Sequence, residues 1–175
     1  MDLIQKKVCM LGDFAVGKTS LVRRFVEGRF DDKYLSSIGV KISRKTLVRG
    51  DHRLDLIIWD LAGGENFIHL QPAYLQGAAG ALVVCDLTRR DTLQNLSDYC
   101  QQFLMINPSA AVVYLGNKVD LMDQPEITGA ELQATCAELN RPFLLTSAKT
   151  GEQVEAAMLV LAELIEAKRG SLNDR

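Results

Sequence analysis

The sequence predicts a doubly wound α/β domain, in which about six strands form one mostly parallel sheet with helices on both faces. The first observation behind this prediction is that short, continuous apolar runs alternate along the chain with longer segments of helical period. The second is the length, because 175 residues, 47% of them apolar and 24% charged, suit one domain with a single core. We assign residues 1–170 to this domain and 171–175 to a residual tail.

Five continuous apolar runs are predicted to be strands buried on both faces: residues 8–11, 54–59, 81–85, 111–115 and 143–145. A further strand-like run, residues 40–48, is joined to the run 54–59 by only five residues, 49–53. A connection this short joins antiparallel strands and cannot make a parallel crossover. We therefore expect one antiparallel hairpin at an edge of the sheet.

Helices are predicted near residues 18–27, 66–75, 92–104, 129–139 and 152–168. The patterns Thr128-Gly-Ala-Glu131 and Thr150-Gly-Glu-Gln153 predict capping boxes at the start of the last two helices. One apolar stripe of the last helix is expected to face the core. It consists of Val154, Ala157, Met158, Leu161, Leu164 and Ile165.

Charge and composition argue against several classes of protein. The net charge of −2 gives no general attraction to nucleic acid or anionic membranes. No apolar run reaches the roughly 20 residues of a membrane span, and the first residues lack the apolar stretch of a secretory signal. We therefore expect a cytoplasmic protein with no nucleic-acid partner.

The cysteines have no metal-type spacing and are predicted to be free thiols, buried or half-buried. They are Cys9, Cys85, Cys100 and Cys136. The two histidines, His52 and His69, stand alone and are predicted to be surface residues.

Residues 12–19 (GDFAVGKT) directly follow the first predicted strand and match the phosphate-binding pattern G-x-x-x-x-G-K-[ST]. Backbone N–H groups and a helix N-terminus hold such a dense anion, and glycines at the ends allow the tight turn. The Lys18 side chain can reach the β- and γ-phosphates, and the Thr19 hydroxyl can bind Mg2+. The predicted phosphate-binding residues are Asp13, Phe14, Ala15, Val16, Gly17, Lys18, Thr19 and Ser20.

Two further loops indicate which base is bound. Asn117-Lys118-Val119-Asp120 follows the run 111–115, and a carboxylate at Asp120 can accept both guanine N–H donors, which adenine does not offer. After the run 143–145, the loop N–H groups of Ser147 and Ala148 can meet the guanine carbonyl, and the Lys149 stem can pack on the base. Each loop alone also fits an ordinary polar loop, but three loops at successive strand ends favour a guanine nucleotide.

Asp60 follows the run 54–59, where a carboxylate of the Walker-B type reaches Mg2+ through water; the alternative role is a helix cap. Gly63 can bring an unhindered backbone N–H against the γ-phosphate. The predicted ligand is thus GTP or GDP with Mg2+.

With these motifs in place, the chain resembles the Ras superfamily of small GTPases over essentially its whole length, and is most similar to the Rab branch. Further similar segments are residues 37–40 (SIGV), 58–60 (IWD), 74–78 (YLQGA) and 83–88 (VVCDLT). The resemblance to this family implies a mechanism of GTP hydrolysis in which a positioned water attacks the γ-phosphate.

The resemblance implies a switch I around residues 31–41 and a switch II around 60–73, both ordered by the γ-phosphate and Mg2+. It implies that Ser37 binds Mg2+, that Phe30 packs on the guanine and that Tyr34 closes over the phosphates. Effectors, exchange factors and GTPase-activating proteins are the implied partners, through both switches. Candidate effector contacts are Ile38, Val40, Ile42, Trp59, Phe67 and Leu70. The alternative for some of them is a position in the core, and Trp59 is expected to pack between the sheet and a switch.

Two departures concern catalysis, which we assign to Lys18, Gly63 and position 64. Gly64 stands where the family has the glutamine that orients the attacking water, so we expect slow hydrolysis. Phe14 stands where relatives have a small residue; its ring either crowds the γ-phosphate and a partner's arginine, or turns harmlessly outward. The main hypothesis is a switch that hydrolyses GTP slowly. The alternative is a GTP-loaded scaffold that is reset by exchange.

A third departure is the C-terminus, where relatives usually carry prenylated cysteines. No cysteine follows Cys136. Either the native tail extends further or this member is not prenylated. We expect no membrane anchor within these residues, and peripheral membrane attachment only if the native tail is lipidated.

Overall fold

The computed structural model describes residues 1–30, 39–63, 72–123 and 126–173. Six strands form one sheet in the order β2-β3-β1-β4-β5-β6. β2 and β3 are antiparallel, and the other neighbouring pairs are parallel. The strands are β1 (Asp2–Gly12), β2 (Val40–Arg49), β3 (His52–Leu61), β4 (Ala78–Asp86), β5 (Ala111–Asn117) and β6 (Phe143–Thr146). The predicted fold class, including the antiparallel edge hairpin, is confirmed.

The helices flank this sheet and fill most of the predicted segments. Those within the described ranges are α1 (Lys18–Glu27), α2 (Arg90–Gln94), α3 (Leu96–Ile106), α4 (Gly129–Leu139) and α5 (Val154–Asn173). Two 3-10 turns lie at Pro72–Tyr74 and Val119–Leu121. In the segment predicted as a helix over 66–75, residues 66–71 lie outside the described ranges and Pro72–Tyr74 form one of these turns.

The helix predicted over 92–104 is interrupted, because α2 and α3 are separated at Asn95. Asn95 Nδ2 donates to Asp13 Oδ2 at 2.8 Å. The spacing of apolar residues does not reveal a one-residue break at Asn95, whose hydrogen-bond partner Asp13 lies 82 residues earlier in the chain. The single helix predicted here was therefore wrong.

Of the two predicted capping boxes, one is present. Thr128 Oγ1 accepts from the Glu131 N–H at 3.1 Å, and Glu131 Oε2 accepts from the Thr128 N–H at 2.8 Å. The box at Thr150 is wrong, because its hydroxyl accepts from the Glu152 N–H and α5 begins only at Val154. A left-handed residue, Gln153 at φ 53°, lies between them.

Two apolar layers enclose the sheet. One lies between the sheet and α1 with α5, and the other between the sheet and α2 with α3. The predicted stripe of α5 belongs to the first layer: five of its residues are buried, and Leu164 packs on them partly exposed. The stripe prediction is confirmed.

All four cysteines are free thiols, as predicted; three are buried and Cys136 is partly buried. Burial raises the pKa of Cys9 and of Cys85 to about 12, so both remain protonated near neutral pH. Within the described ranges, no helix is both long and apolar enough to cross a lipid bilayer.

His52, at the start of β3, joins the β2–β3 hairpin to α5. Its Nε2 lies 2.7 Å from Glu166 Oε1 and its Nδ1 lies 3.0 Å from Asp51 Oδ1, while Arg49 Nε donates to Glu166 Oε2 at 3.1 Å. His52 is partly exposed at the surface, as predicted, but the expectation that it stands alone was wrong, because the hairpin turn folds back onto α5. His69 lies outside the described residues.

A neutral imidazole has one N–H and cannot donate to both carboxylates, whereas an imidazolium can. Hydrogen bonds to Asp51 and then to Glu166 accordingly raise the pKa of His52. A raised pKa in the folded state stabilises the protein fully below the unfolded-state pKa of about 6.5. This contribution disappears as the pH rises through the folded-state pKa.

We therefore expect His52→Gln to reduce the free energy of unfolding at pH 5.5 and to have a smaller effect at pH 9, measured by urea unfolding at both values. Asp51→Asn removes the first of the two partners and should reduce the pH dependence only in part, because the Asp51 side chain is fully exposed and solvent screens its pair with His52. An equal loss for His52→Gln at both pH values would contradict a charged link to Glu166.

Candidate functional site

The polar loops predicted to carry the chemistry meet at the carboxyl edge of the sheet. They follow β1, β3, β5 and β6, and a loop after β4 joins them. Ligands of open α/β sheets bind at this edge. The sequence motifs, far apart along the chain, are thus brought together.

The loop of residues 12–17 is closed by two glycines in left-handed conformations, Gly12 at φ 141° and Gly17 at φ 102°. A Cβ at Gly12 would lie 2.2 Å from the Val84 carbonyl oxygen, and one at Gly17 would lie 2.3 Å from Asn117 Nδ2. Glycine is therefore required at both ends for conformation and for space.

Lys18, the first residue of α1, is buried beside this loop. Its Nζ donates to the carbonyl oxygens of Gly12 and Asp13, each at 2.9 Å. Burial lowers the pKa of Lys18 to about 8, an effect that the charges of Asp60 and Asp13 partly offset. The ammonium group and the N-terminus of α1 together make this loop a favourable place for an anion.

Thr19 and Asp60 provide the oxygen atoms predicted for Mg2+. Thr19 Oγ1 donates to Asp60 Oδ2 at 2.5 Å, and Asp60 is 1% exposed. A hydroxyl and a carboxylate, both hard oxygen donors beside a phosphate-binding loop, suit Mg2+. The donor set thus fits the ion. Ser37, the third predicted ligand, lies outside the described residues, as do Tyr34 and Gly64.

Gly63 lies directly against the phosphate-binding loop. A Cβ at this position would lie 2.2 Å from the Gly12 carbonyl oxygen and 2.7 Å from Lys18 Nζ. Because a backbone carbonyl cannot yield as a flexible side chain can, no other residue fits here without moving the loop. The chain after β3 is therefore held at the predicted phosphate site.

Asn117, at the end of β5, connects three loops. Its Nδ2 donates to the Val16 carbonyl oxygen at 3.0 Å, and its Oδ1 accepts from Thr146 Oγ1 at 3.2 Å and from the Ala148 N–H at 3.3 Å. It is 2% exposed. Both ends of its amide are engaged within the protein, so Asn117 acts mainly by holding the loops together.

The two predicted base-binding loops are also joined directly. Asp120 Oδ1 accepts from Ser147 Oγ at 2.7 Å, and Asp120 itself is exposed. From α1, Arg24 donates to the carbonyl oxygens of Ala148, at 2.8 Å, and Lys149. Phe30, partly buried after α1, packs on the first core layer. Sequence reasoning missed Arg24, because its partners lie more than a hundred residues away.

Asp13 and Phe14 use their side chains differently from the other loop residues. The Asp13 carboxylate accepts from Tyr99 Oη at 2.7 Å and from Asn95 Nδ2, so both of its oxygens are directed to the α2–α3 side of the loop. The Phe14 ring is 49% exposed. That exposure favours the outward orientation of the two alternatives. Ala15, at φ 61°, is in the left-handed region.

The loop after β4 adds functional residues that the sequence reasoning missed. Asp86 is 1% exposed, and its carboxylate lies 2.6 Å from Lys118 Nζ and accepts from Thr88 Oγ1 at 2.6 Å. Burial alone would raise the pKa of Asp86, but the hydrogen bonds from Lys118 and Thr88 lower it overall. An aspartate at the end of an apolar strand was the signal available in the sequence.

Comparison with known proteins shows one family. The model of the Ras family matches residues 7–167. The chain is 34% identical to Ras-related protein RABD1 of Arabidopsis thaliana. The alignment spans 166 residues, which are 94% of this chain and 81% of that protein. It is 34% identical to Ras-related protein Rab-22A of Homo sapiens over 173 residues, 98% and 89% of the two chains. It is 33% identical to Ras-related protein SEC4 of Candida albicans over 168 residues, which are 95% of this chain and 80% of that protein.

We expect Asn117→Ala to lower the free energy of unfolding of the ligand-free protein by about 2–3 kcal/mol, because it leaves the buried Val16 carbonyl and Ala148 N–H without partners. Urea unfolding measures this loss. Thr146→Val is the control: it keeps the shape, removes one hydrogen bond to the same amide, and is expected to cost below about 1 kcal/mol. Equal losses for the two variants would contradict the connecting role of Asn117.

Proposed function

The chain belongs to the Ras family of GTPases, in its Rab-like branch, and from that membership we propose that it is a guanine-nucleotide switch with slow intrinsic hydrolysis. The observation that carries the proposal is the joining of the phosphate loop to both base loops through the buried Asn117 amide. One rigid frame then holds the phosphates at one end and the base at the other.

In this proposal the phosphates lie in the loop of residues 12–17, at the N-terminus of α1. Lys18 binds them as a cation, and the backbone of Gly63 approaches the γ-phosphate. Mg2+, when bound, neutralises phosphate charge. Thr19 and Ser37 hold it directly, and Asp60 holds it through water.

The base lies between the Asn117–Asp120 segment and residues 147–149. Asp120 is exposed and close to Ser147, which supports its role as the acceptor for the two guanine N–H donors. Phe30 packs on the base from the side of α1. Guanine is favoured over adenine because only guanine offers Asp120 two donors on the same edge.

Effectors and regulators bind through switch I and switch II in this proposal. Ile42 of β2 is 54% exposed and lies directly opposite Trp59 of β3. The Trp59 ring centroid lies 6.4 Å from that of Tyr74, and Lys7 Nζ lies 3.8 Å from it. An exposed apolar residue beside an aromatic pair supports a protein partner at this surface. Val40 is partly buried, and Ile38, Phe67 and Leu70 lie outside the described residues.

Slow hydrolysis follows from position 64, since glycine has no side chain with which to orient water. The proposed switch therefore needs a partner to supply the missing group, or it stays loaded with GTP and is reset by exchange. We assign residues 1–170 to the GTPase domain and place the protein in the cytoplasm, at a membrane surface if its native tail is lipidated.

The choice of base is tested by comparing GDP with inosine diphosphate, which lacks the exocyclic amino group. We expect wild type to bind GDP about 10- to 100-fold more tightly, the value of one hydrogen bond to a charged group. Asp120→Ala should weaken GDP binding and remove the preference, measured by isothermal titration. Asp123→Ala, which removes the same charge from a nearby exposed position, is the control. A preference that survives in Asp120→Ala would contradict the assignment.

The role of position 64 is tested by loading the protein with GTP and Mg2+ and following the bound nucleotide by chromatography for hours. We expect Gly64→Gln to hydrolyse GTP at least about tenfold faster than wild type, because a positioned water reacts more readily. Gly170→Gln, the same change on an exposed turn of α5, should behave like wild type. If wild type is as fast as Gly64→Gln, another residue positions the water.

A further inference from the structure

Arg89, in the loop between β4 and α2, connects a buried carboxylate to the phosphate-binding loop. Its Nε donates to Asp86 Oδ2 at 3.2 Å, and its Nη2 donates to the Phe14 carbonyl oxygen at 2.7 Å. The planar guanidinium group presents two donors to two acceptors at once, which a lysine ammonium cannot do in the same geometry. Arg89 therefore links the end of β4 to the tip of the loop.

Side chains from the end of β5 and the loop after it bind the next two carbonyl groups of the phosphate-binding loop. Lys118 Nζ, which also binds Asp86, donates to the Ala15 carbonyl oxygen at 3.1 Å. Asn117 Nδ2 donates to the Val16 carbonyl oxygen at 3.0 Å. Three successive carbonyl groups, those of residues 14, 15 and 16, are thus each bound by a side chain from outside the loop.

The direction of these carbonyl groups determines the direction of the neighbouring N–H groups, because each peptide is planar. In a trans peptide the C=O of one residue and the N–H of the next point in opposite directions. Holding the carbonyls of residues 14–16 outward therefore turns the N–H groups of residues 15–17 to the other side of the loop. A concave row of N–H groups of this kind binds anions.

The first of these peptides precedes a residue in an unfavourable backbone conformation. It joins Phe14 to Ala15, and Ala15 has φ 61°, a left-handed conformation that is unfavourable for a residue other than glycine. Lys118 and Asn117 hold the following two peptides, and Arg89 holds this one through the Phe14 carbonyl oxygen.

We propose that Arg89 is a positioning residue of the nucleotide site: it fixes the Phe14–Ala15 peptide so that the Ala15 N–H faces the phosphates. The inference rests on the proposed function for the location of the phosphates, and adds a residue to it. Loss of the Arg89 side chain is expected to release this peptide and to speed nucleotide dissociation.

The local structure allows Arg89 to be removed without unfolding the loop after β4. Asp86 keeps its contacts with Lys118 and Thr88. The start of α2 depends on the Arg89 backbone carbonyl, which accepts from Thr92, and not on the Arg89 side chain. Alanine at position 89 retains all of these interactions.

The test measures the dissociation rate of a fluorescently labelled GDP from wild type, Arg89→Ala, Arg89→Lys and Arg90→Ala, with excess unlabelled GDP. Arg90 is the matched control, because it binds Glu131 and the Glu126 carbonyl at α4 and not the phosphate loop. We expect dissociation about tenfold faster for Arg89→Ala, an intermediate rate for Arg89→Lys, and a change within about twofold for Arg90→Ala.

Chemical rescue separates positioning from general stability. Free guanidinium at low millimolar concentration should slow dissociation from Arg89→Ala and leave Arg90→Ala unchanged, while urea unfolding of the two ligand-free variants should agree. Equal dissociation rates for the two variants, or a fast rate in Arg89→Ala that guanidinium does not slow, would overturn this inference alone. Failure of wild type to bind GDP would overturn the proposed function, and this inference with it.

Discussion

The buried amide of Asn117 is the contact on which the rest of the site depends. Its donor end holds the Val16 carbonyl and its acceptor end receives the Ala148 N–H, so one side chain sets the distance between the phosphate loop and the base loop. Because a buried amide left unpaired is costly, the three loops must keep their relative positions or lose these bonds together. The glycine at position 17 follows from the same contact, since any larger residue would overlap Asn117 Nδ2.

Asp86 also helps to hold the phosphate-binding loop in place, through the two cations that bind its carboxylate. It is nearly inaccessible to solvent, and the cations Lys118 and Arg89 that bind it each also hold a carbonyl of the phosphate loop. A buried carboxylate is tolerated only when it is paired and hydrogen-bonded. The loop is therefore organised by polar side chains from outside, and its inner surface remains available for an anion.

Local interactions explain which features were predictable. The helix over residues 129–139 was predicted correctly because one capping box at Thr128 fixes its start, whereas a similar pattern at Thr150 failed because the chain turns at Gln153. The motifs around Gly17 and Asn117 were recognised because their spacing along the chain is diagnostic. Arg24 and Arg89 were not, since their partners lie 124 and 75 residues away and no local pattern records such a pairing.

The sheet ends in two unlike edges, β6 with four residues and β2 with ten. Among the described residues, no strand pairs with the outer side of β2. A long edge of this kind presents N–H and C=O groups to which another extended chain can add, which is a route to aggregation. Four basic residues of β2 counter this hazard: Lys41, Arg44, Lys45 and Arg49. Two of them also form ion pairs within the protein, Arg44 with Asp55 and Arg49 with Glu163 and Glu166. Two copies brought edge to edge would set their basic residues against each other, which disfavours self-association at this edge. The sequence of β2 therefore protects its own edge against strand addition by a second copy.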